Sequence, residues 1–264
     1  MGHDRRVIHT AIVTGANQGI GAATAKALAR QGVNVLVTYL RYEPEPDPSY
    51  PDAYFASRGS DADEVVEAIV GAGGRAHAVE ADLARPQTAA ELFDEAERVF
   101  GPVDVLVNNA SGWVQDTFLG DDVDQFGRGL RSVDATTFDL QFAVDARATA
   151  LLIAEFARRH IARGGNWGRI VSLTSGGPHG FPSEVSYGAA KAALENYAMS
   201  AAAELAEHGI TSNVLHPPVT DTGWINDEVR AKFSVAEAAE VADVIAFLCS
   251  DTAKRVTRNV LRMH

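Results

Sequence analysis

Short apolar runs alternate with longer helix-like stretches along the whole chain. The runs are rich in Val, Ile and Leu, as buried parallel strands are, and the stretches between them carry apolar residues at helical spacing. This alternation predicts a parallel, doubly wound sheet of seven strands with helices on both faces. We find no linker or second core and expect residues 1–264 to form one α/β domain. The predicted strands are Val7 to Val13, Asn34 to Tyr39, Arg75 to Ala81, Val103 to Val107, a run around Ile170 and Val171, Thr211 to Leu215, and Asn259 to Met263.

Two segments interrupt the alternation. Arg41 to Ser60 is acidic and rich in proline, so it cannot continue a helix or a strand, and we predict a solvated insertion loop rather than a cofactor lid. Gly112 to Ser132 is a second insertion, whose residues 122–127 superficially resemble a calcium loop. Phe126 stands at a ligand position there, so we predict a loop and no metal site. Between the insertions, Asp61 and Glu64 predict a capping box that begins a helix.

The first strand runs into a glycine-rich turn, TGANQGIG at residues 14–21, and a helical pattern and a second strand follow. Glycines let the backbone approach a pyrophosphate, and the free N–H groups of the following helix attract it. The pattern therefore predicts a dinucleotide site. A plain tight turn is the alternative.

A second candidate site lies between residues 168 and 200. The strand around Ile170 stops at Thr174 and Ser175, and an alanine-rich helix then carries Tyr187 and Lys191. Tyr and Lys four residues apart share a helix face, and the ammonium group favours the phenolate. With the serine hydroxyl at the strand end, the arrangement predicts a proton-transfer site. An ordinary helix face is the alternative.

Composition narrows the partners and the compartment. The formal net charge of −12 argues against nucleic acid or an anionic membrane as the main partner. The single cysteine, Cys249, lies in an apolar run and is predicted to be a buried structural thiol. No signal-peptide core or apolar run of about 18 residues is present. We expect a cytoplasmic protein without a metal site.

Four separated signals now coincide in order: residues 14–21 match TGxxxGxG, Asp82-Leu83 matches an adenine-side pair, residues 108–110 match most of NNAG, and Ser175 precedes a YxxxK motif. The chain thereby resembles the classical short-chain dehydrogenase/reductase family over nearly its whole length. The resemblance implies an NAD(P)-dependent oxidoreductase that interconverts a carbonyl and a secondary alcohol. A 3-oxoacyl thioester reductase and a non-catalytic dinucleotide-binding regulator are the alternatives.

The resemblance also implies roles for individual residues. Tyr187 is the acid or base for the substrate oxygen, Lys191 lowers the pKa of Tyr187 and holds the nicotinamide ribose, and Ser175 hydrogen-bonds the reacting carbonyl. Residues implied to contact the cofactor are Gly15, Asn17, Gly19, Ile20, Gly21, Asp82, Leu83, Asn109, Ala110, Tyr187, Lys191, Pro217, Val219 and Thr222.

Several positions depart from the family pattern. Asp145 stands where the family usually has an asparagine that supports a water relay behind the lysine, and we include it among the catalytic candidates. Ser175 is one residue nearer Tyr187 than in many relatives, which makes Thr174 a possible substitute. Pro218 and Ser111 replace glycines. The lid segment from Asp221 to Phe233 is short, and we expect residues 112–132 to supply part of the missing wall.

Cofactor choice rests on the end of the second strand. NAD-preferring relatives have an acidic residue about 20 positions beyond the glycine turn, and this chain has Tyr39 there. Arg41 can pair with a 2′-phosphate, so NADP is the predicted cofactor, with NAD as the alternative. Gln18 supplies no basic partner in the turn.

The remaining predictions concern the oligomeric state and aromatic and histidine residues near the site that are not assigned a catalytic role. The alanine-rich helix Ser186 to His208 and the helix Ala135 to Arg163 predict a homo-oligomer, a tetramer or a dimer. His179 and His216 are predicted to be structural or rim residues. Trp113 and Trp224 either line a substrate pocket or pack against the loops.

Overall fold

A computed structural model describes residues 8–42, 50–120, 122–176 and 179–264. Its main sheet has seven parallel strands in the order β3-β2-β1-β4-β7-β8-β9, which confirms the predicted doubly wound fold. Two further strands, β5 and β6, form a separate small parallel pair. The strands are β1 (Thr10–Val13), β2 (Asn34–Tyr39), β3 (Ala76–Glu80), β4 (Val105–Asn108), β5 (Asp116–Thr117), β6 (Arg131–Ser132), β7 (Gly168–Leu173), β8 (Ile210–His216) and β9 (Val260–Arg262).

Side chains from the central strands alternate between two apolar layers. Val35 and Val37 pack in one layer, and Leu36 packs in the other. Helices α1 (Gly19–Arg30), α3 (Asp63–Gly71) and α9 (Ala238–Leu248) cover the first layer, and α4 (Thr88–Phe100), α6 (Thr149–Ala162) and α7 (Val185–Glu204) cover the second. Because both faces are buried, the strands appear in the sequence as continuous apolar runs.

Strand β1 pairs with β2 on one side and with β4 on the other, so Ile12 lies opposite both Leu36 and Leu106. The chain order reverses at this point of the sheet. Ligands of doubly wound proteins bind at the carboxyl ends of strands at such a reversal. The fold therefore places a binding crevice between the ends of β1 and β4.

The first insertion is not simply a solvated loop. Residues 43–49 lie outside the described residues, but the second half of the segment forms α2 (Asp52–Gly59), with Pro51 at its N-cap. Tyr54 is buried, and Asn17 of the glycine turn donates to the carbonyl oxygens of Ser57 and Ser60, at 3.4 and 3.1 Å. The prediction of a loop was wrong here because these long-range contacts stabilise a short helix.

The capping box predicted at Asp61 is also absent. Helix α3 begins two residues later, at Asp63, and its N-cap is Ala62, which is buried in the core. Asp61 instead accepts a hydrogen bond from the backbone N–H of Asp63 at 3.0 Å. Burial of Ala62 therefore decides where this helix starts.

A helical segment spans the predicted range Ala135 to Arg163, but it is not uniform. It consists of α5 (Ala135–Phe142), a π-helical stretch (Ala143–Ala148) and α6. The π-helical stretch carries the buried Asp145. Such irregular turns occur often at functional sites, and the periodicity of the sequence did not predict this one. After β8 the chain forms a short helix, α8 (Asp227–Lys232). None of the described helices is both long and apolar enough to cross a membrane.

Candidate active site

A cavity of about 1420 Å³ opens at the carboxyl ends of the strands, at the predicted crevice. It is lined by the glycine turn, by the residues that follow β2, β3, β4, β7 and β8, and by both insertions. Sites for one small ligand usually measure about 300–1,000 Å³, so this cavity has room for a dinucleotide and a substrate together.

The glycine turn is packed too tightly for side chains. A Cβ atom on Gly21 would lie 2.2 Å from the carbonyl oxygen of Gly15, and one on Gly19 would lie 2.8 Å from Thr222. Asn109 donates to the carbonyl oxygens of Thr14 and Gly15, both at 2.9 Å, and so holds the turn from behind. The N-cap residue of α1, Gln18, makes no side-chain capping bond. The turn and the helix start therefore fit the pyrophosphate of a dinucleotide.

Most residues implied to contact the cofactor do line the cavity. The exceptions are Gly21, which packs behind the turn, and Arg41. The guanidinium group of Arg41 pairs with the carboxylate of Glu80 at 2.6 Å. Those that line the cavity are Gly15, Asn17, Gly19, Ile20, Tyr39, Asp82, Leu83, Asn109, Ala110, Tyr187, Lys191, Pro217, Val219 and Thr222.

Ser175, Tyr187 and Lys191 meet at one wall of the cavity. The Nζ atom of Lys191 donates to the carbonyl oxygen of Leu173 at 3.0 Å and lies 5.5 Å from the centre of the Tyr187 ring. The hydroxyl of Thr174, the possible substitute for Ser175, donates to the carboxylate of Glu195 at 2.7 Å, whereas Ser175 hydrogen-bonds Tyr187. Ser175 is therefore the hydroxyl beside Tyr187.

The carboxylate of Asp145 contacts Lys191 and three further groups behind it. One of its oxygens lies 2.8 Å from the Nζ atom of Lys191. The other accepts from Gln141 at 2.6 Å, from the backbone N–H of Gly112 at 2.8 Å and from Ser111 at 3.2 Å. Its carboxylate thus joins the π-helical stretch, the second insertion and the lysine directly.

The charges around Tyr187 oppose one another. Burial raises the pKa of its hydroxyl above the ordinary value. The charge of Lys191 acts to lower that pKa, as expected, and so does the hydrogen bond with Ser175, but they do not offset burial. The carboxylates of Asp145 and Glu184 act to raise it. For Lys191, burial is the largest single cause and acts to lower the pKa, but the charges of Asp145 and Tyr187 and the hydrogen bond with Asp145 together outweigh it, so the pKa is raised. The structure therefore favours a neutral phenol beside an ammonium ion, which is the pair that carbonyl reduction needs.

The second insertion walls the cavity as expected, partly through residues that the sequence did not single out. Arg128 is buried and pairs with Asp124 at 2.7 Å and with Glu184 at 3.1 Å. Asp124 also accepts backbone N–H bonds from Phe126 and Arg128, so its carboxylate serves the loop itself. A basic residue four positions after Asp124 is the only sequence signal for this group, and it did not reveal the contact with Glu184.

Helix α2 contributes side chains that were also missed. Tyr54 and Arg58 line the cavity, and the guanidinium group of Arg58 lies 5.0 Å from the centre of the Tyr54 ring. The Nε atom of Arg58 is buried without a hydrogen-bond partner in the described structure. Arg58, unlike Arg41, is therefore a cation in the cavity wall.

The structure also places residues for which the sequence predicted structural, rim or pocket roles. His216 bonds the carbonyl oxygen of Gly176 at 2.7 Å, and Trp113 and Trp224 both line the cavity. Cys249 is buried, and burial raises the pKa of its thiol to about 12. Within the described ranges, no group of His, Cys, Asp and Glu side chains is arranged to hold a metal ion.

Comparison with known proteins gives the class. The family model described as enoyl-(acyl carrier protein) reductase matches residues 52–263, and the model described as short chain dehydrogenase matches residues 9–47. A 3-oxoacyl-(acyl-carrier-protein) reductase of Synechocystis sp. is 34% identical over 251 residues, covering 92% of this chain and 90% of the relative. The cis-4-hydroxycyclohexanecarboxylate dehydrogenase of Sinomonas cyclohexanicum is 33% identical over 262 residues, covering 95% and 93%.

Among solved structures, the angucycline C-6 ketoreductase LanV with bound NADP is 31% identical, with a TM-score of 0.78 over 96% of this chain and 93% of that chain. The chain belongs to the short-chain dehydrogenase/reductase family, which confirms the resemblance. It is an NAD(P)-dependent oxidoreductase of that family. The alternative of a non-catalytic regulator is set aside.

Proposed function

We propose that the protein reduces a ketone to a secondary alcohol, or performs the reverse oxidation, with Tyr187 as the proton donor or acceptor. The observation that carries this proposal is the meeting of Ser175, Tyr187 and Lys191 in the cavity that also contains the glycine cradle. A bound nicotinamide supplies the hydride or accepts it. The rest of the chemistry is proton transfer and positioning by this chain.

Each of the three side chains has a separate task in the proposal. Tyr187 donates its proton to the carbonyl oxygen as negative charge develops there, and Ser175 donates a second hydrogen bond to the same oxygen. Lys191, kept cationic by Asp145, lowers the cost of forming the phenolate. Asp145 is a positioning residue, since it touches Lys191 and lies outside the cavity lining.

We infer that NADP(H) is preferred over NAD(H). Tyr39 stands where an acidic residue binds the ribose diol in NAD-preferring relatives, and LanV was solved with NADP. Two arginines can bind the additional phosphate. Arg41 requires release from Glu80, whereas Arg58 already lines the cavity. NAD(H) remains the alternative, and comparing the two dissociation constants decides between them.

The substitution Tyr187→Phe tests the mechanism. It removes the transferable proton and keeps the ring, so we expect the variant to fold and to bind NADP(H) with unchanged affinity. Turnover should fall by about 10²- to 10⁴-fold, the usual contribution of a positioned acid or base. Steady-state kinetics measured as nicotinamide absorbance, with circular dichroism as the folding control, give the result. Near-normal turnover on any substrate of the parent enzyme would exclude this role.

A second candidate activity is reduction of a 3-oxoacyl thioester, which the named activity of the Synechocystis relative favours. The 3-oxo group of such a thioester is a ketone, so it presents the same kind of carbonyl to Tyr187 as a simple ketone does. The two substrates differ in what the outer cavity must hold. We expect a simple ketone to be the better substrate. The measurement is kcat/KM for acetoacetyl-coenzyme A against an uncharged ketone.

We also propose a single domain, a cytoplasmic location and a homo-oligomer, with a tetramer favoured over a dimer. Apolar side chains are exposed on α5 and α7, where Phe138, Leu140 and Tyr197 are 46%, 48% and 47% exposed. The small residues of α7 allow another helix to approach. Light scattering at micromolar concentration tests the assembly, and a monomer mass would overturn it. A single cooperative unfolding transition and cell fractionation test the other two proposals.

A further inference from the structure

Aromatic side chains from three separate parts of the chain meet in the outer cavity. Tyr50 and Tyr54 come from the first insertion, Trp113 from the second, and Trp224 from the segment after β8. The ring centres of Tyr54 and Trp113 are 6.2 Å apart, and those of Trp113 and Trp224 are 6.4 Å apart. The tyrosine rings stack on each other at 4.6 Å. We define these four residues as the aromatic wall.

The polar group behind this wall is already neutralised. The guanidinium group of Arg128 lies 5.6 Å from the ring centre of Trp113 and 5.4 Å from that of Trp224. Its charge is matched by the carboxylates of Asp124 and Glu184, and burial raises the pKa of Glu184. Arg128 therefore holds the two tryptophans in place and offers no unpaired positive charge to an anionic substrate.

A fifth aromatic ring lies beside the proton donor. The ring of Phe181 is centred 5.9 Å from that of Tyr187. Two glycines permit this position, because a Cβ atom on Gly188 would lie 2.6 Å from Phe181, and one on Gly176 would lie 3.0 Å from it. Aromatic surface is thus present at the reacting end of the cavity as well as at the wall.

We propose that the substrate is an aromatic ketone of two or more fused rings. Its carbonyl faces Tyr187 and Ser175, and its rings pack against the aromatic wall in stacked or edge-to-face contacts. The inference rests on the proposed function. In the reduction, hydride passes from the reduced nicotinamide to the carbonyl carbon, Tyr187 gives its proton to the oxygen, and a solvent proton restores the phenol.

Two ketones of the same ring size test this assignment: 2-tetralone, which contains one aromatic ring, and 2-decalone, which is saturated. Neither carbonyl is conjugated, so their ratio of kcat/KM measures mainly recognition of the aromatic ring. We expect 2-tetralone to be favoured about tenfold or more, the size of two added aromatic contacts. Equal values would overturn the inference and leave the ketone reductase function standing.

Substitutions in the aromatic wall test whether it causes the preference for 2-tetralone over 2-decalone. We expect Trp113→Leu and Trp224→Leu each to lower the ratio several-fold, and Trp113→Phe to keep most of it. Trp167→Leu is the matched control, because Trp167 stacks on His9 outside the cavity and should leave the ratio unchanged. If the ratio survives in both wall variants, the aromatic wall does not select the substrate.

Binding measured without turnover tests the aromatic site separately from the proposed ketone reduction. We would titrate 2-naphthol and decahydro-2-naphthol into the protein saturated with NADPH, which cannot accept a hydride from either alcohol, and measure heat. Tighter binding of 2-naphthol, lost in Trp113→Leu, supports the aromatic site. If that binding is seen but neither ketone is reduced, the proposed function fails while the site stands. Equal affinity for the two alcohols would overturn the inference.

Discussion

The carboxyl ends of the strands, called the sheet edge below, and the two insertions build the same cavity by different kinds of contact. At the sheet edge, side chains bond the backbone: Thr14 accepts from the N–H groups of Asn109 and Ala110, and Lys191 donates to Leu173. In the insertions, pairs of side chains bond one another as well, as Tyr50 with Gln115 and Arg128 with Asp124 do. Backbone contacts tolerate many sequences, whereas paired side chains need particular partners. The first region supports the family's shared chemistry, and the second can specialise.

The two regions are joined at defined points. Asp116 of the second insertion accepts the backbone N–H of Ser186 at 2.8 Å, across 70 residues of sequence, and so satisfies the start of α7. Glu184 joins the same insertion to the residues just before that helix. Because α7 carries Tyr187, a loss of these contacts reaches the proton donor.

The largest effect expected from the insertions is on stability. The substitution Arg128→Met leaves the buried carboxylates of Asp124 and Glu184 without their cation, and removing one partner of such a group costs about 3–5 kcal/mol. Urea denaturation measures the loss. The control Arg98→Met removes an arginine whose pair with Glu95 is exposed, and we expect little change. Equal effects would mean that the buried network does not stabilise the fold.

The next largest effect is expected at the sheet edge, where two neighbouring hydroxyl groups are compared. Ser175→Ala removes a donor to the reacting oxygen, and we expect kcat to fall about 10²- to 10³-fold. Thr174→Ala, one position away, should cost much less, because the Thr174 hydroxyl is engaged by Glu195. Parallel kinetics on the two variants make the measurement. A larger loss in Thr174→Ala would show that the neighbouring hydroxyl serves the substrate.

A third experiment tests which arginine of the first insertion binds the cofactor phosphate: Arg41, close after β2, or Arg58, on α2. If Arg58 supplies the cation, Arg58→Ala weakens NADPH binding about tenfold, the usual size of one charge-assisted hydrogen bond, and leaves NADH binding unchanged. Arg41→Ala should then have little effect, since Arg41 pairs with Glu80. Fluorescence titration gives both constants. The reverse result would restore the expectation drawn from sequence.

The smallest expected effect is a shift in pH dependence. The negative charge of Asp145 acts to raise the pKa of Tyr187, so Asp145→Asn should lower that pKa. Alcohol oxidation needs the phenolate, and its rate rises as pH passes through that pKa. The rising limb of kcat/KM for oxidation should therefore move to lower pH in the variant. A limb that stays in place would show that the charge of Asp145 does not set the pKa of Tyr187.

Some elements could be predicted because their causes are local. The strands are apolar runs that need burial on both faces, and Tyr187 and Lys191 share a helix face through their spacing alone. Predicted boundaries were less secure: the N-cap of α3 is Ala62, one residue later than predicted, because burial of Ala62 outweighed the capping signal at Asp61.

The sequence by itself determined the order of strands and helices, the glycine turn and the residues of the proton-transfer site, since each depends on neighbours within one or two elements. Only the tertiary structure decided that α2 is a helix over the cavity, that Ser175 rather than Thr174 faces Tyr187, and that Arg128 belongs with Glu184, 56 residues away. These outcomes depend on which side chains meet across the fold, and such meetings leave no periodic pattern in the chain.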